Sequence, residues 1–431
     1  FMDDAWVMAW AYNWLHHGAQ TDNVFRDGSY VLVFGKLMWL VYGGALELFG
    51  WSKANALHVS TALIFATGAC WYGIARRLGW SATTGLTLAA TIVLLDKIVE
   101  AGALCRPEAM VLLWISGALL AFAHERYLLA GLLAVAGAET HPMALTSLFY
   151  ILAWTLTHHR KYRENPANTA RKVGWFALGG ALGVAVYVGL HWDALQSGQV
   201  AKVLAGSDKF AGAARSEWTY LDRHFQWHSQ LELLIFVFAL FAWLQQKAWR
   251  DCAFPLLAVV CVVVSAFGSS RPNGFYAALA FPAFAVLCVA AFEKAGIARA
   301  ALALLAVSFV FETHARWAKH PEFQPQSGLA EIAAAVPADG LPVAGMNDFW
   351  FLFPDRPFLP GDYHGDVAAR LDSEEWSDLY LIDSTFMSNR RTFGQIKSHL
   401  RRHFVSEVIA STKEHGKHPL KILRYRRKTR R

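Results

Sequence analysis

Apolar positions along this chain gather in blocks of roughly 17–23 residues, the length that crosses a bilayer core. Ten spans are expected, over residues 54–75, 82–99, 107–123, 127–138, 143–157, 175–190, 231–244, 253–268, 275–292 and 300–311. Those beginning at Tyr127 and Leu231 are short for a full crossing. Residues 30–50 are apolar too, but they carry Lys36 and Glu47 and read as a helix lying in the membrane interface. From about Arg316 the pattern changes. Prolines and charges rise, and alternating pieces such as 341–344 and 378–382 predict strands. The fold class that follows is an α-helical polytopic membrane protein with a small C-terminal soluble α/β domain. Three regions are expected: 1–53, an outer-face loop with interfacial helices; 54–315, the transmembrane helices; and 316–431, the soluble domain with a basic tail.

Loop charges orient the spans. Arg76 and Arg77 follow the first, and Arg126 the third. Arg160, Lys161, Arg163, Arg171 and Lys172 follow the fifth, Lys247 and Arg250 the seventh, and Lys294 and Arg299 the ninth. The positive-inside rule makes these loops cytoplasmic. The loops 100–106, 139–142, 192–230 and 269–274, and everything after Phe311, then lie on the opposite face. Residues 1–53 lie there as well, which calls for one earlier span ahead of Phe1 and eleven helices in all. If 30–50 crossed instead, the sign of every basic loop would reverse.

Composition agrees with this class. Of 431 residues, 55% are hydrophobic and 17% charged, and the mean hydropathy is +0.28, too apolar for an ordinary soluble protein of this length. Eighteen tryptophans and thirteen tyrosines suit anchoring at the bilayer interface. The five cysteines, Cys70, Cys105, Cys252, Cys261 and Cys288, form no CxxC pair and read as small buried thiols. The net charge of +7 is matched by the seven cationic residues from Lys421 onward, where no acid occurs. Such a tail is a solvated end or is drawn to anionic headgroups. No other feature supports a nucleic-acid partner.

With the topology drawn, Asp3, Asp4, Glu100, Arg106, Glu108, Glu139, His141 and Arg271 all fall near the outer ends of spans. Ionisable groups at membrane depth are costly and are functional candidates for that reason. Each has a plainer role as well: an Arg or Glu as a headgroup anchor, His141 before Pro142 as a helix cap. Their convergence on one face is the informative feature. It describes a cavity of acids, a cation and an imidazole beside a bilayer that can deliver a lipid. Asp3, Asp4, Glu108 and His141 also offer hard oxygen and imidazole ligands to a divalent ion, although the chemistry below requires none.

The opening stretch, DDAWVMAWAYNWLHHG, resembles the first outer loop of the GT-C glycosyltransferases that use polyprenyl-phosphate sugars. That class includes lipid A aminoarabinose transferases, protein O-mannosyltransferases and arabinofuranosyltransferases. The matching positions are Asp3, Asp4, Ala5 and Gly18. The family's interfacial helix ends in an LFG turn, here at 48–50, and the next span closes with ARRLG, here at 75–79. CRPEAM at 105–110, THPMAL at 140–145 and RPNGFYAALAFPAF at 271–284 resemble later family segments. The similarity covers most of residues 1–315, in the family's order. The usual HPP ahead of the interfacial helix is absent, which leaves the subfamily open.

This resemblance implies an inverting transferase acting on the extracytoplasmic face of the cell membrane. Its donor would be a polyprenyl-phosphate-linked sugar, and its acceptor a lipid, a glycan or a protein. Asp3 is implied as the base, Asp4 as a group that orients it or the acceptor, and Glu108 as a second catalytic acid. Arg271 is the implied phosphate clamp, with Arg106, His141 and Tyr276 in substrate binding. Lys209 and Arg215, with Lys202 and Arg223, can help hold phosphate from the long outer loop, or are simply solvated. Elementary chemistry agrees: a carboxylate can take the acceptor proton, and a leaving phosphate needs cations rather than a protonating acid. That differs from the paired carboxylates of glycoside hydrolases. Two other classes compete. A transporter would place polar groups at the midplane and often shows repeats; no repeat is visible here. A non-catalytic subunit of cell-envelope polysaccharide assembly would be indifferent to changes at Asp3.

Overall fold

The expected apolar blocks are helical wherever the structure describes them. The computed structural model describes residues 3–18, 35–103, 105–158, 166–196, 230–245, 278–279, 281–319, 327–361, 363, 366–384, 391–411 and 420–428. Most of these are helical, with one small sheet. They form two compact units. One comprises Val31–Met38 and Val59–Thr313; the other comprises Phe1–Tyr30, Trp39–His58 and His314–Arg431.

The first unit is helical throughout. After α1 (Asp3–His17), which falls in the second unit, and α2 (Lys36–Phe49), most of which does too, the chain forms α3 (Lys53–Arg77), α4 (Ala82–Leu94), α5 (Asp96–Gly102), α6 (Pro107–Ala123), α7 (Tyr127–Thr140), α8 (Thr146–Thr157), α9 (Pro166–Leu190), α10 (Trp192–Gln196), α11 (Gln230–Gln245), α12 (Phe281–Lys294) and α13 (Ala298–Lys319). Among the described residues α3 and α9 are long and apolar enough to cross a membrane. The span expected over 82–99 is not one helix. It breaks at Leu95, which is extended (ψ 131°), and α5 leaves α4 at 66°. Two adjacent charged residues, Asp96 and Lys97, interrupt the apolar run at this point, and Asp96 opens the new helix, where a carboxylate suits the positive end of the helix dipole. The span expected over 143–157 also starts differently, as a 3₁₀ turn over Pro142–Leu145 that leads into α8. The 253–268 span lies outside the described residues. The 275–292 span is described as helix from Phe281.

α7 and α9 run parallel. Gly131 lies against Phe176–Gly180, Val135 against Gly183, and Glu139 against His191. Backbones touch at this crossing: a Cβ at Gly131 would sit 2.2 Å from the Phe176 carbonyl oxygen, and one at Gly179 2.0 Å from that of Leu128. Small residues are the usual means of close helix approach in a bilayer, where apolar burial alone does not drive helices together. The parallel course puts the ends of α7 and α9 on the same side, as the loop charges require. Elsewhere the core uses its few polar groups in pairs. Trp71 Nε1 donates to Ser116 Oγ at 2.9 Å, and the Tyr150 hydroxyl to the Leu279 carbonyl at 2.8 Å.

The second unit contains the C-terminal α/β domain. After α14 (Ser327–Ala335) come β1 (Val343–Gly345), a 3₁₀ helix (Asn347–Leu352), β2 (Phe358–Pro360), α15 (Val367–Asp372), β3 (Asp378–Ser384), α16 (Arg391–His403), β4 (Phe404–Ser411) and β5 (Leu420–Arg427). The sheet order is β2-β1-β3-β5-β4, parallel across the first three strands and antiparallel across the rest. Phe393, Ile396 and Leu400, at helical spacing on α16, pack on Leu379, Leu381 and Tyr425. One expectation is corrected here. The stretch from Lys421 is largely an interior strand, β5, rather than a solvated tail. Its apolar positions Ile422 and Tyr425 are buried, and Arg424 forks onto Asp378 at 3.0 and 2.6 Å.

The aromatic opening helix belongs to this unit. α1 buries Ala5 through Tyr12 apart from Trp6, whose side chain is not described, and packs on the 3₁₀ helix of the C-terminal domain. Trp10 and Trp14 meet Trp39 at 6.3 and 5.8 Å. Tyr12 lies among His16, Trp51 and Trp350, and its hydroxyl donates to Asp355. Burial, and then that bond, raise its pKa. Lys53 pairs with Asp348 at 2.6 Å in the same unit.

Candidate active site

The backbone of Asp3 and Asp4 opens α1, and their side chains lie outside what the structure describes. That helix belongs to the unit built on the C-terminal domain, whereas Arg106, Glu108 and His141 belong to the helical unit.

Arg106 and Glu108 are set by the start of α6. Arg106 is extended (φ −113°, ψ 164°), Pro107 takes the first helical position, and Glu108 falls in the first turn. This brings the guanidinium over the carboxylate. Arg106 Nε donates to both Glu108 oxygens at 3.3 and 3.2 Å, and Nη2 donates to Oε1 at 3.1 Å. Both residues are buried. Removing either partner would leave a buried charge uncompensated, the costly way to break such a pair.

His141 closes α7 and is buried. Its Nδ1 accepts the Met143 N–H at 3.2 Å and so caps the 3₁₀ turn, which fixes the proton on Nε2 in the neutral ring. Desolvation, and then the charge of Arg106, pull its pKa down to about 4. The imidazole is therefore neutral at physiological pH. Glu100 pairs with Lys97 on α5.

A second buried cluster lies beside this one in the sequence. Glu139, in the last turn of α7, receives Nε2–H of His191 at 2.8 Å; the two side chains are 2% and 0% exposed. Both Glu139 oxygens also accept the Leu37 N–H, at 3.3 and 3.2 Å. The carboxylate thereby satisfies a first-turn donor of α2. Gly35 N–H donates to the Thr140 carbonyl, and a Cβ at Gly35 would lie 1.9 Å from the Glu139 carbonyl oxygen, so only glycine fits. Lys36 Nζ donates to the Leu190 carbonyl. The sequence marked Glu139 as an outer-face acid but did not mark Gly35, Leu37 or His191.

Arg271, Tyr276, Lys209, Arg215, Lys202 and Arg223 lie outside the described residues. No group of three or more His, Cys, Asp or Glu side chains gathers in metal-binding fashion among the described residues. Of the residues with ligand chemistry, Glu108 is engaged by Arg106, and His141 uses Nδ1 as a cap.

No protein-family model matches the chain, and no curated protein matches its sequence. Two solved structures match its fold. One is the crystal structure of ArnT from Cupriavidus metallidurans in the apo state: 11% identity, TM-score 0.58, 97% of this chain and 93% of that one covered. The other is the same protein bound to undecaprenyl phosphate, at 12% identity and TM-score 0.56 with the same coverage. A likeness that runs through nearly the whole of both chains, with apolar helices followed by a small sheet, gives this chain the GT-C fold that its sequence motifs resemble.

Proposed function

We propose that this chain is an integral-membrane inverting glycosyltransferase that moves a sugar from a polyprenyl phosphate to a lipid, glycan or protein acceptor on the extracytoplasmic face. The observation that carries this reading is the full-length likeness to a protein solved with undecaprenyl phosphate bound. The outer-face acids and cations of the sequence supply the chemistry. In this mechanism the Asp3 carboxylate takes the acceptor's hydroxyl proton, and Asp4 holds Asp3 or the acceptor in place. The acceptor oxygen bonds to the anomeric carbon from the side opposite the phosphate. The carbon–oxygen bond to phosphate breaks, and its electron pair leaves with the polyprenyl phosphate. Arg271 stabilises that leaving group, with Lys209 and Arg215 of the long outer loop as further cations. Glu108, held by the Arg106 guanidinium, serves as an acceptor of substrate hydroxyls.

The test is turnover by purified protein in nanodiscs with a synthetic undecaprenyl-phosphate sugar. Release of undecaprenyl phosphate that depends on Asp3 supports the reading. Retention of intact donor with every acceptor class tried would sink it. The broken α4–α5 helix with buried Asp96 favours a second reading, a transporter, because discontinuous helices at membrane depth are a transporter device. Vesicle uptake of a polar solute without donor cleavage would support that one. The face assignment is tested separately. An impermeant thiol reagent should label Ser29→Cys and Ser327→Cys in intact cells, and protection of either one overturns it.

A further inference from the structure

We propose that the end of the C-terminal domain where α16, β4 and β5 meet is a docking face for the anionic headgroups of a lipid bilayer. The inference does not depend on the transfer reaction. Residues 391–431 hold thirteen Lys and Arg against two acids, so the positive charge of this chain is concentrated in its last tenth. The fold then brings two cationic ends together. Arg401, Arg402 and His403 close α16 and are exposed. Arg426 and Arg427 close β5, also exposed, and Lys428 ties the two ends to each other. Its backbone N–H donates to the His403 carbonyl and its Nζ to the Arg402 carbonyl, both at 3.0 Å. The nearby acids offset only part of this charge. Asp378 takes Arg424 and Arg426, Asp372 takes His399 and Arg427, and Glu407 lies opposite Arg424 in the strand register. Among the described residues no carboxylate pairs with Arg401 or Arg402. Clustered like charge opposes folding through self-repulsion and is relieved by a polyanionic surface.

The neighbouring surface selects the kind of polyanion. β4 is an edge strand of the sheet, and Val405 on it, in register with the exposed Arg426, is 60% exposed. The exposed apolar groups here are aliphatic, whereas the domain's Trp376, Tyr380 and Tyr425 are buried. A glycan or single-stranded nucleic acid is held by exposed aromatic platforms. Arginines beside aliphatic side chains suit a headgroup layer instead, with guanidinium on phosphate and valine at the glycerol level. A second copy of the chain fits poorly. The register of β4 is interrupted between Val408 and Ala410, which spoils an edge for strand pairing, and two such faces would repel.

The full-length protein tests this in nanodiscs of phosphatidylcholine alone and of phosphatidylcholine with phosphatidylglycerol. Amide hydrogen exchange over 399–411 is expected to slow in the anionic discs, and high salt should reverse the effect. Arg401→Ser with Arg402→Ser should remove most of the difference, since each arginine near an anionic surface contributes about fivefold to partitioning. Unchanged exchange over 378–384 in that variant confirms that the sheet is intact. Equal exchange in both disc types overturns the proposal. So does protection that survives the double substitution, or protection conferred only by a soluble polyanion such as dextran sulfate.

Discussion

His191 and Glu139 meet 2.8 Å apart, sealed from solvent, although 52 residues separate them in the chain. The carboxylate holds three things at once: the end of α9 through His191, its own helix α7, and the first turn of α2 through Leu37. Glu139→Ala removes the acceptor for both donors, and a buried donor deprived of its acceptor costs about 1–3 kcal/mol. Thermal unfolding in detergent should drop accordingly. Glu139→Gln keeps one acceptor oxygen and should lose less. Gly35→Ala should be at least as damaging as Glu139→Ala, because its Cβ has no room. A wild-type unfolding temperature in Glu139→Ala would show that the cluster carries no energy.

His141 makes the protein acid-sensitive. Its folded pKa, about 4, lies below the unfolded value of about 6.5, so folding favours the neutral ring. The stabilisation is therefore complete above pH about 6.5 and is lost as pH falls toward about 4. The loss over that window is on the order of 3 kcal/mol. His141→Asn retains an oxygen that can accept the Met143 N–H but does not titrate. The variant should be less stable than wild type near pH about 7 and should lose less on acidification. Parallel curves for the two proteins would count against the assignment.

Asp3→Asn preserves size and hydrogen bonding while abolishing basicity. Transfer should fall at least about 10²-fold, the lower range for general-base catalysis, with donor binding retained. If turnover stays near normal, Asp4 inherits the role.

Arg271→Lys separates a clamp from an anchor. A guanidinium can fork two phosphate oxygens, which an ammonium cannot reproduce. Donor use should weaken clearly in Arg271→Lys and further in Arg271→Ala, with insertion into the membrane unchanged. A headgroup anchor needs only a long cationic side chain and would accept lysine. Wild-type donor affinity in Arg271→Lys would leave only the anchor.

Elements with local punctuation were legible. The helix expected over 107–123 is Pro107–Ala123, because proline at the first helical position marks its start. The break at Leu95 was also written locally, in Asp96 and Lys97, but a hydropathy window averages two charges into the apolar run around them. β5 was hidden for the opposite reason. Its cations obscured the buried Leu420, Ile422 and Tyr425 that make it an interior strand. At the candidate site, Glu108 and its neighbour Arg106 were readable because they lie two positions apart. The partners of Glu139 were not: Gly35 and His191 reach it only through tertiary packing, and no short-range pattern records that.

The parallel course of α7 and α9 has a mechanical consequence. Their contact is backbone on backbone at Gly131 and Gly179, and their far ends are joined by Glu139 and His191. Sliding α9 by one turn would carry the imidazole about 5.4 Å past the carboxylate. The same slide would push Cβ atoms into the two glycine notches. The pair has no comfortable intermediate stop, so α9 is keyed to a single register against α7.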